Sequence, residues 1–121
     1  MNRLFTSFKY GIAGIAHAIR TQANFRIHLS ISFVVIIAGL LLRSSNAEWA
    51  ILVLTIMIVL AAELFNTSIE AALDRVSPEQ HPLVKVAKDA AAGAVLITAI
   101  GAVVIGVLIF GPKLLGLIAN R

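Results

Sequence analysis

From Ala90 to Phe110 the chain reads AAAGAVLITAIGAVVIGVLIF, 21 residues without a charge. That is the length a helix needs to cross the hydrocarbon of a bilayer, about 20 residues. In lipid no water is available to the backbone, so each N–H and C=O must be satisfied within the segment, and a helix does this alone. Two further stretches have the same character. Ile27–Leu42 (IHLSISFVVIIAGLLL) is short for a span and is expected to borrow a turn from Asn24-Phe25-Arg26. The other starts after Glu48 and runs without punctuation into an acidic segment. Gly111-Pro112 reads as the stop of the third helix. Composition agrees: 60% of residues are hydrophobic and 13% charged, against about 25% charged in soluble domains. The expected fold is an all-α integral membrane protein of one domain, 1–121. Its three transmembrane helices are expected within 25–42, 48–74 and 86–110.

Ahead of the spans, Phe5, Phe8, Ile12, Ile15 and Ile19 recur every three to four residues. This is the stripe of an amphipathic helix, expected over 1–22, with Lys9 and Arg20 off the stripe. Such a helix can lie in the headgroup layer or pack on the others, and the two are compatible. A cleavable signal peptide is not expected, because Arg20 and Arg26 still precede the first long apolar run. The chain has no cysteine, which excludes disulfides and thiolate metal sites. No basic surface with interleaved aromatics appears, so nucleic acid is not an expected partner despite the net charge of +4.

Charge instead sorts the loops. Seven of the ten Lys+Arg lie in the N-terminal region (Arg3, Lys9, Arg20, Arg26) and the 75–88 loop (Arg75, Lys85, Lys88). Arg43, Lys113 and Arg121 are the other three. The positive-inside rule puts the N-terminus and the 75–88 loop in the cytoplasm, and three spans then leave the C-terminus outside.

Five of the six Asp+Glu residues fall between 63 and 89. At 3.6 residues per turn, Glu63, Asn66, Glu70 and Asp74 share one helical face, within roughly 80°. A carboxylate at mid-membrane costs at least about 2.5–3.5 kcal/mol, and such groups face a bundle interior or a wet cavity. The stripe is therefore expected to face protein. Carboxylates beside an amide suit a hard cation such as Mg²⁺, which often arrives with nucleotide phosphates. Lys88 stands at the same membrane level and could meet a phosphate, completing the parts that phosphoryl transfer requires. Two other readings remain at this point. One is a polar seam holding helices together in a structural adaptor. The other is a proton or ion site at Glu63 in a small transporter or channel subunit. No Gly-rich phosphate loop is present.

The segment AELFNTSIEAALDRV, followed by AKDAAAGAVL, resembles the signature of the prokaryotic diacylglycerol kinase family: E-x-x-N-[ST]-x-[IV]-E-x-x-x-D, a loop, then A-K-D. The order of segments matches over almost the whole chain. The resemblance implies an ATP-dependent lipid kinase of the bacterial inner membrane that uses Mg²⁺ and assembles as a homotrimer with shared active sites. It implies Glu63 as general base and Asn66 as an ordering residue. Glu70 would hold the metal of MgATP, and Lys88 with Asp89 would contact the nucleotide. Glu79, His81, Arg3 and Tyr10 match positions near ATP, although a solvated loop and interfacial anchoring also explain them. One position departs. TQANFRIH places Gln22 where the family often has a metal-binding Glu, implying weaker metal holding. The acceptor would be diacylglycerol or undecaprenol. NFRIH, KDAAAGAVL and GPKLL lean toward undecaprenol.

Overall fold

The computed structural model describes residues 2–79 and 81–120. Gln80 of the loop and Arg121 of the C-terminal charge count lie outside the described residues. Four helices follow one another: α1 (Asn2–Thr21), α2 (Ala23–Leu41), α3 (Asn46–Val76) and α4 (Pro82–Ala119). The described residues contain no strand. α2, α3 and α4 are each long and apolar enough to cross a membrane. Each begins two to four residues ahead of the expected bounds: α2 at Ala23, α3 at Asn46 and α4 at Pro82.

α1 and α2 meet at one extended residue, Gln22 (φ −111°, ψ 108°). The corner is held from both sides. Ala18 is fully buried and Phe25 nearly so. The Arg26 guanidinium donates to the carbonyls of Ile19 (2.9 Å) and Arg20 (3.1 Å), occupying the acceptors that the end of α1 leaves free. The stripe of α1 remains open: Phe5, Phe8 and Ile12 are exposed, as a helix needs if it is to rest in a lipid interface.

The α2–α3 connection is a tight hairpin. Arg43 takes a left-handed φ of 54°, and its N–H and that of Ser44 return to the carbonyls of Leu40 and Gly39. Ser45 then caps α3, accepting from Glu48 N–H while Glu48 accepts from Ser45 N–H. The Trp49 ring lies flush on Gly39, where an added Cβ would sit 2.6 Å from the indole. Glycine here permits the close approach of the two helices.

α3 is the central element; α4 packs mainly on it, and α2 packs on it less extensively. Leu52 and Val59 are its buried apolar contacts, and Ala91 is that of α4. At 1.5 Å per residue, α3 spans about 46 Å and α4 about 57 Å, more than the hydrocarbon thickness of about 30 Å. Both must therefore project beyond it. One expectation fails here: α4 runs through Gly111-Pro112 to Ala119. Gly111 keeps a negative φ, so it is no left-handed cap. Pro112 removes one backbone donor, yet a helix at a membrane has no better use for its remaining groups than to continue. Lys113, just past the proline, is held by Glu48 at 3.1 Å, tying the end of α4 to the start of α3.

Candidate active site

The acidic stripe lies on α3 and grades from buried to open. Glu63 is 3% exposed, Asn66 and Glu70 are half-buried, and Asp74 is exposed. Phe65, between them in sequence, points outward at 71% exposure. The stripe thus faces protein where it is deepest, as the cost of a carboxylate in lipid requires. It opens toward the loop between α3 and α4.

Glu63 has one ionisable neighbour among the described residues. His28 Nε2 of α2 lies 3.2 Å from its Oε1. One turn on, Thr67 Oγ1 donates to the Glu63 carbonyl. Asn66 Nδ2 donates to Glu70 Oε1 at 3.3 Å, which fixes the amide against the carboxylate. Its other end, Asn66 Oδ1, is buried without a partner. Buried acceptors are nearly always paired, so an orphan carbonyl oxygen beside a carboxylate is a place for a cation or a donor. No three His, Asp or Glu side chains among the described residues converge as a metal cage. Mg²⁺ does not need one, since it usually takes one or two carboxylates and fills its shell with water and substrate phosphate. Glu70 fits that use.

Gln22 stands at the α1–α2 corner, its amide 3.4 Å from Thr21 Oγ1. It caps nothing with its side chain, so the amide is available for other partners. Arg3 and Tyr10 lie on α1 and are exposed.

The remaining candidates gather at the loop. Asp74, Glu79, His81, Lys85, Lys88 and Asp89 line a pocket of about 540 Å³ between the end of α3 and the start of α4. Lys88 pairs with Asp74 across the two helices, and Asp89 pairs with Lys85 one turn back at 2.6 Å. His81 has a structural task as well: its Nδ1 accepts from Leu83 N–H and caps α4, with Pro82 in the first turn. The structure thus unites Glu79, His81, Lys88 and Asp89 in one pocket, and Asn66 with Glu70 in one hydrogen bond.

Two partners escaped the sequence reading. Asp74 belongs to the stripe, but its pairing with Lys88 depends on how α3 and α4 cross. His28 sits in the quoted NFRIH segment, and its signal was available: an ionisable side chain inside an apolar span is a functional candidate by default.

The profile of prokaryotic diacylglycerol kinase matches residues 9–110, which include every candidate named here except Arg3. An undecaprenol kinase of Bacillus subtilis is 45% identical over 114 residues, covering 94% of this chain and 93% of the relative. A diacylglycerol kinase of Synechocystis is 45% identical over 115 residues, covering 94% of this chain and 66% of the relative. That of Escherichia coli K12 is 30% identical over 102 residues, 84% of either chain. A buried carboxylate on one of three apolar helices, a pocket lined by Lys85 and Lys88 with Asp74, Glu79 and Asp89 at the C-terminal end of that helix, and a match over most of the length lead to one conclusion: the chain belongs to the prokaryotic diacylglycerol kinase family and is a membrane lipid kinase.

Proposed function

We propose that the protein transfers the γ-phosphate of MgATP to the hydroxyl of a membrane lipid, with undecaprenol favoured over diacylglycerol as acceptor. The observation that carries this is the burial of Glu63 beside His28, on the helix whose stripe runs about three turns on to Asp74 and a pocket lined by Lys88. A carboxylate withdrawn from water, at the level where a lipid hydroxyl rests, is suited to take a proton from that hydroxyl. As the hydroxyl oxygen bonds to the γ-phosphorus, its proton passes to Glu63. The bond from that phosphorus to the bridging oxygen breaks, and the electron pair leaves with ADP. No phosphoenzyme is needed, since no side chain is a better nucleophile than the acceptor.

Lys88 leaves Asp74 to meet the phosphates, and Glu79, His81 and Asp89 line the nucleotide side. Arg3 and Tyr10 of the surface helix close over it. Glu70, with Gln22 as a weaker neutral donor, would hold Mg²⁺, which would supply positive charge against the phosphates. The protein resides in the bacterial inner membrane with its N-terminus and the 75–88 loop in the cytoplasm, and assembles as a homotrimer with shared sites. The lean toward undecaprenol draws support from the relative in Bacillus subtilis, matched over nearly its full length.

The test is a radiolabelled-ATP assay on purified protein in mixed micelles, with diacylglycerol and undecaprenol offered separately. Faster label transfer to undecaprenol is expected. Faster transfer to diacylglycerol reverses the acceptor assignment, and transfer to neither removes the proposal.

A further inference from the structure

His28 lies two residues past the Arg26 that locks the α1–α2 corner, so its position in space is set by a rigid elbow. Its ring does two things. Nε2 lies 3.2 Å from Glu63 Oε1, with the imidazole 20% exposed and the carboxylate side chain 4%. The same residue lines an apolar groove of about 280 Å³ between α2, α3 and α4, together with Leu52, Val59 and Val103. It stands where the buried carboxylate meets a hydrocarbon-like wall.

An ionised carboxylate so far from water needs a hydrogen-bond donor, or burial destabilises it. Of the cationic side chains, Arg26 is committed to α1 carbonyls, and Lys88 stands with Asp74 about three turns further along α3. Among the described residues this leaves His28. A proton on Nε2, after a small turn of the ring that stands within ion-pair distance, would be donated to Oε1, and a carboxylate so held has its other oxygen, Oε2, fixed in direction. We propose that His28 is a positioning residue for phosphoryl transfer: it engages Oε1 of Glu63 so that Oε2 receives the proton of the lipid hydroxyl. The inference rests on the kinase reading, with Glu63 as base. The arrangement parallels catalytic pairs in which a second group orients the base without touching substrate.

The test compares His28→Leu, which fills the space without a donor, with His28→Gln, whose amide offers an N–H near the Nε2 position. Both lack a charge that would hinder membrane insertion. Each purified variant is assayed for kcat and for KM toward MgATP in mixed micelles, with assembly followed by gel filtration. For His28→Leu, kcat should fall by about 10²-fold with KM for MgATP unchanged, the pattern of an interaction used in the transition state. His28→Gln should retain kcat within about tenfold of the parent. Parent-like kcat in the Leu variant overturns the proposal, as does a Gln variant as slow as the Leu variant. If His28→Leu does not assemble, the Gln variant decides: retention within about tenfold supports the role and a deeper loss overturns it. Absence of transfer by the parent protein itself would refute the kinase reading, and this assignment with it.

Discussion

At the scale of single residues, the cost of charge in lipid made much of the site visible. Glu63 stood out because an apolar helix has no reason to carry it unless something faces it. The sequence could show its period along α3 but not its partner, since His28 lies on another helix and meets it through the crossing of α2 and α3. The Lys88–Asp74 pair was hidden for the same reason. Two predictions belong here. Lys88→Met should raise KM for MgATP by about tenfold or more, as loss of a charge-assisted phosphate contact of roughly 1.5–3 kcal/mol implies. Steady-state kinetics at saturating lipid would check it; an unchanged KM would leave Lys88 as a structural tie to Asp74. Gln22→Glu should lower the Mg²⁺ concentration needed for half-maximal activity, because a carboxylate adds the charge that an amide lacks. A metal titration that superimposes on the parent would show that Gln22 has no part in holding the cation.

At the scale of elements, the three spans were legible from length and hydropathy, and the surface helix from its stripe. The end of α4 was not. Gly-Pro stops helices in water, where solvent takes over the freed groups, whereas α4 continues past Pro112 and is tied by Lys113 to Glu48. Nor could sequence reveal that Gly39 serves as the bed for Trp49. Gly39→Ala should destabilise the α2–α3 hairpin by about 1–3 kcal/mol, since the new methyl meets the indole and neither backbone can readily withdraw. Thermal unfolding in detergent, compared with Gly101→Ala, where the added methyl meets open space, would measure this. Equal loss in both variants would mean that the Trp49 contact is not restrictive.

At the scale of the whole molecule, the single chain buries little: among the described residues Phe25, Leu52, Val59 and Ala91 are the buried apolar side chains of the spanning helices, while Phe33, Met57 and Val103 among many others lie exposed. That surface requires lipid or further copies of the chain. The arrangement across the membrane is open to direct test, because the absence of cysteine lets single cysteines report without background. A cysteine at Glu79 should react with a membrane-impermeant maleimide only in inverted vesicles, and one at Ser44 only in intact cells. The opposite pattern would invert the topology drawn from the Lys and Arg distribution. The central claim, that the buried carboxylate of α3 is the base of a lipid kinase, is tested most directly by Glu63→Gln. Its turnover in mixed micelles should be measured against the parent, with assembly verified by gel filtration. The account predicts a loss of at least about 10²-fold, the scale of a general base, in a protein that still assembles. Turnover within about threefold of the parent, below any general-base contribution, would contradict it.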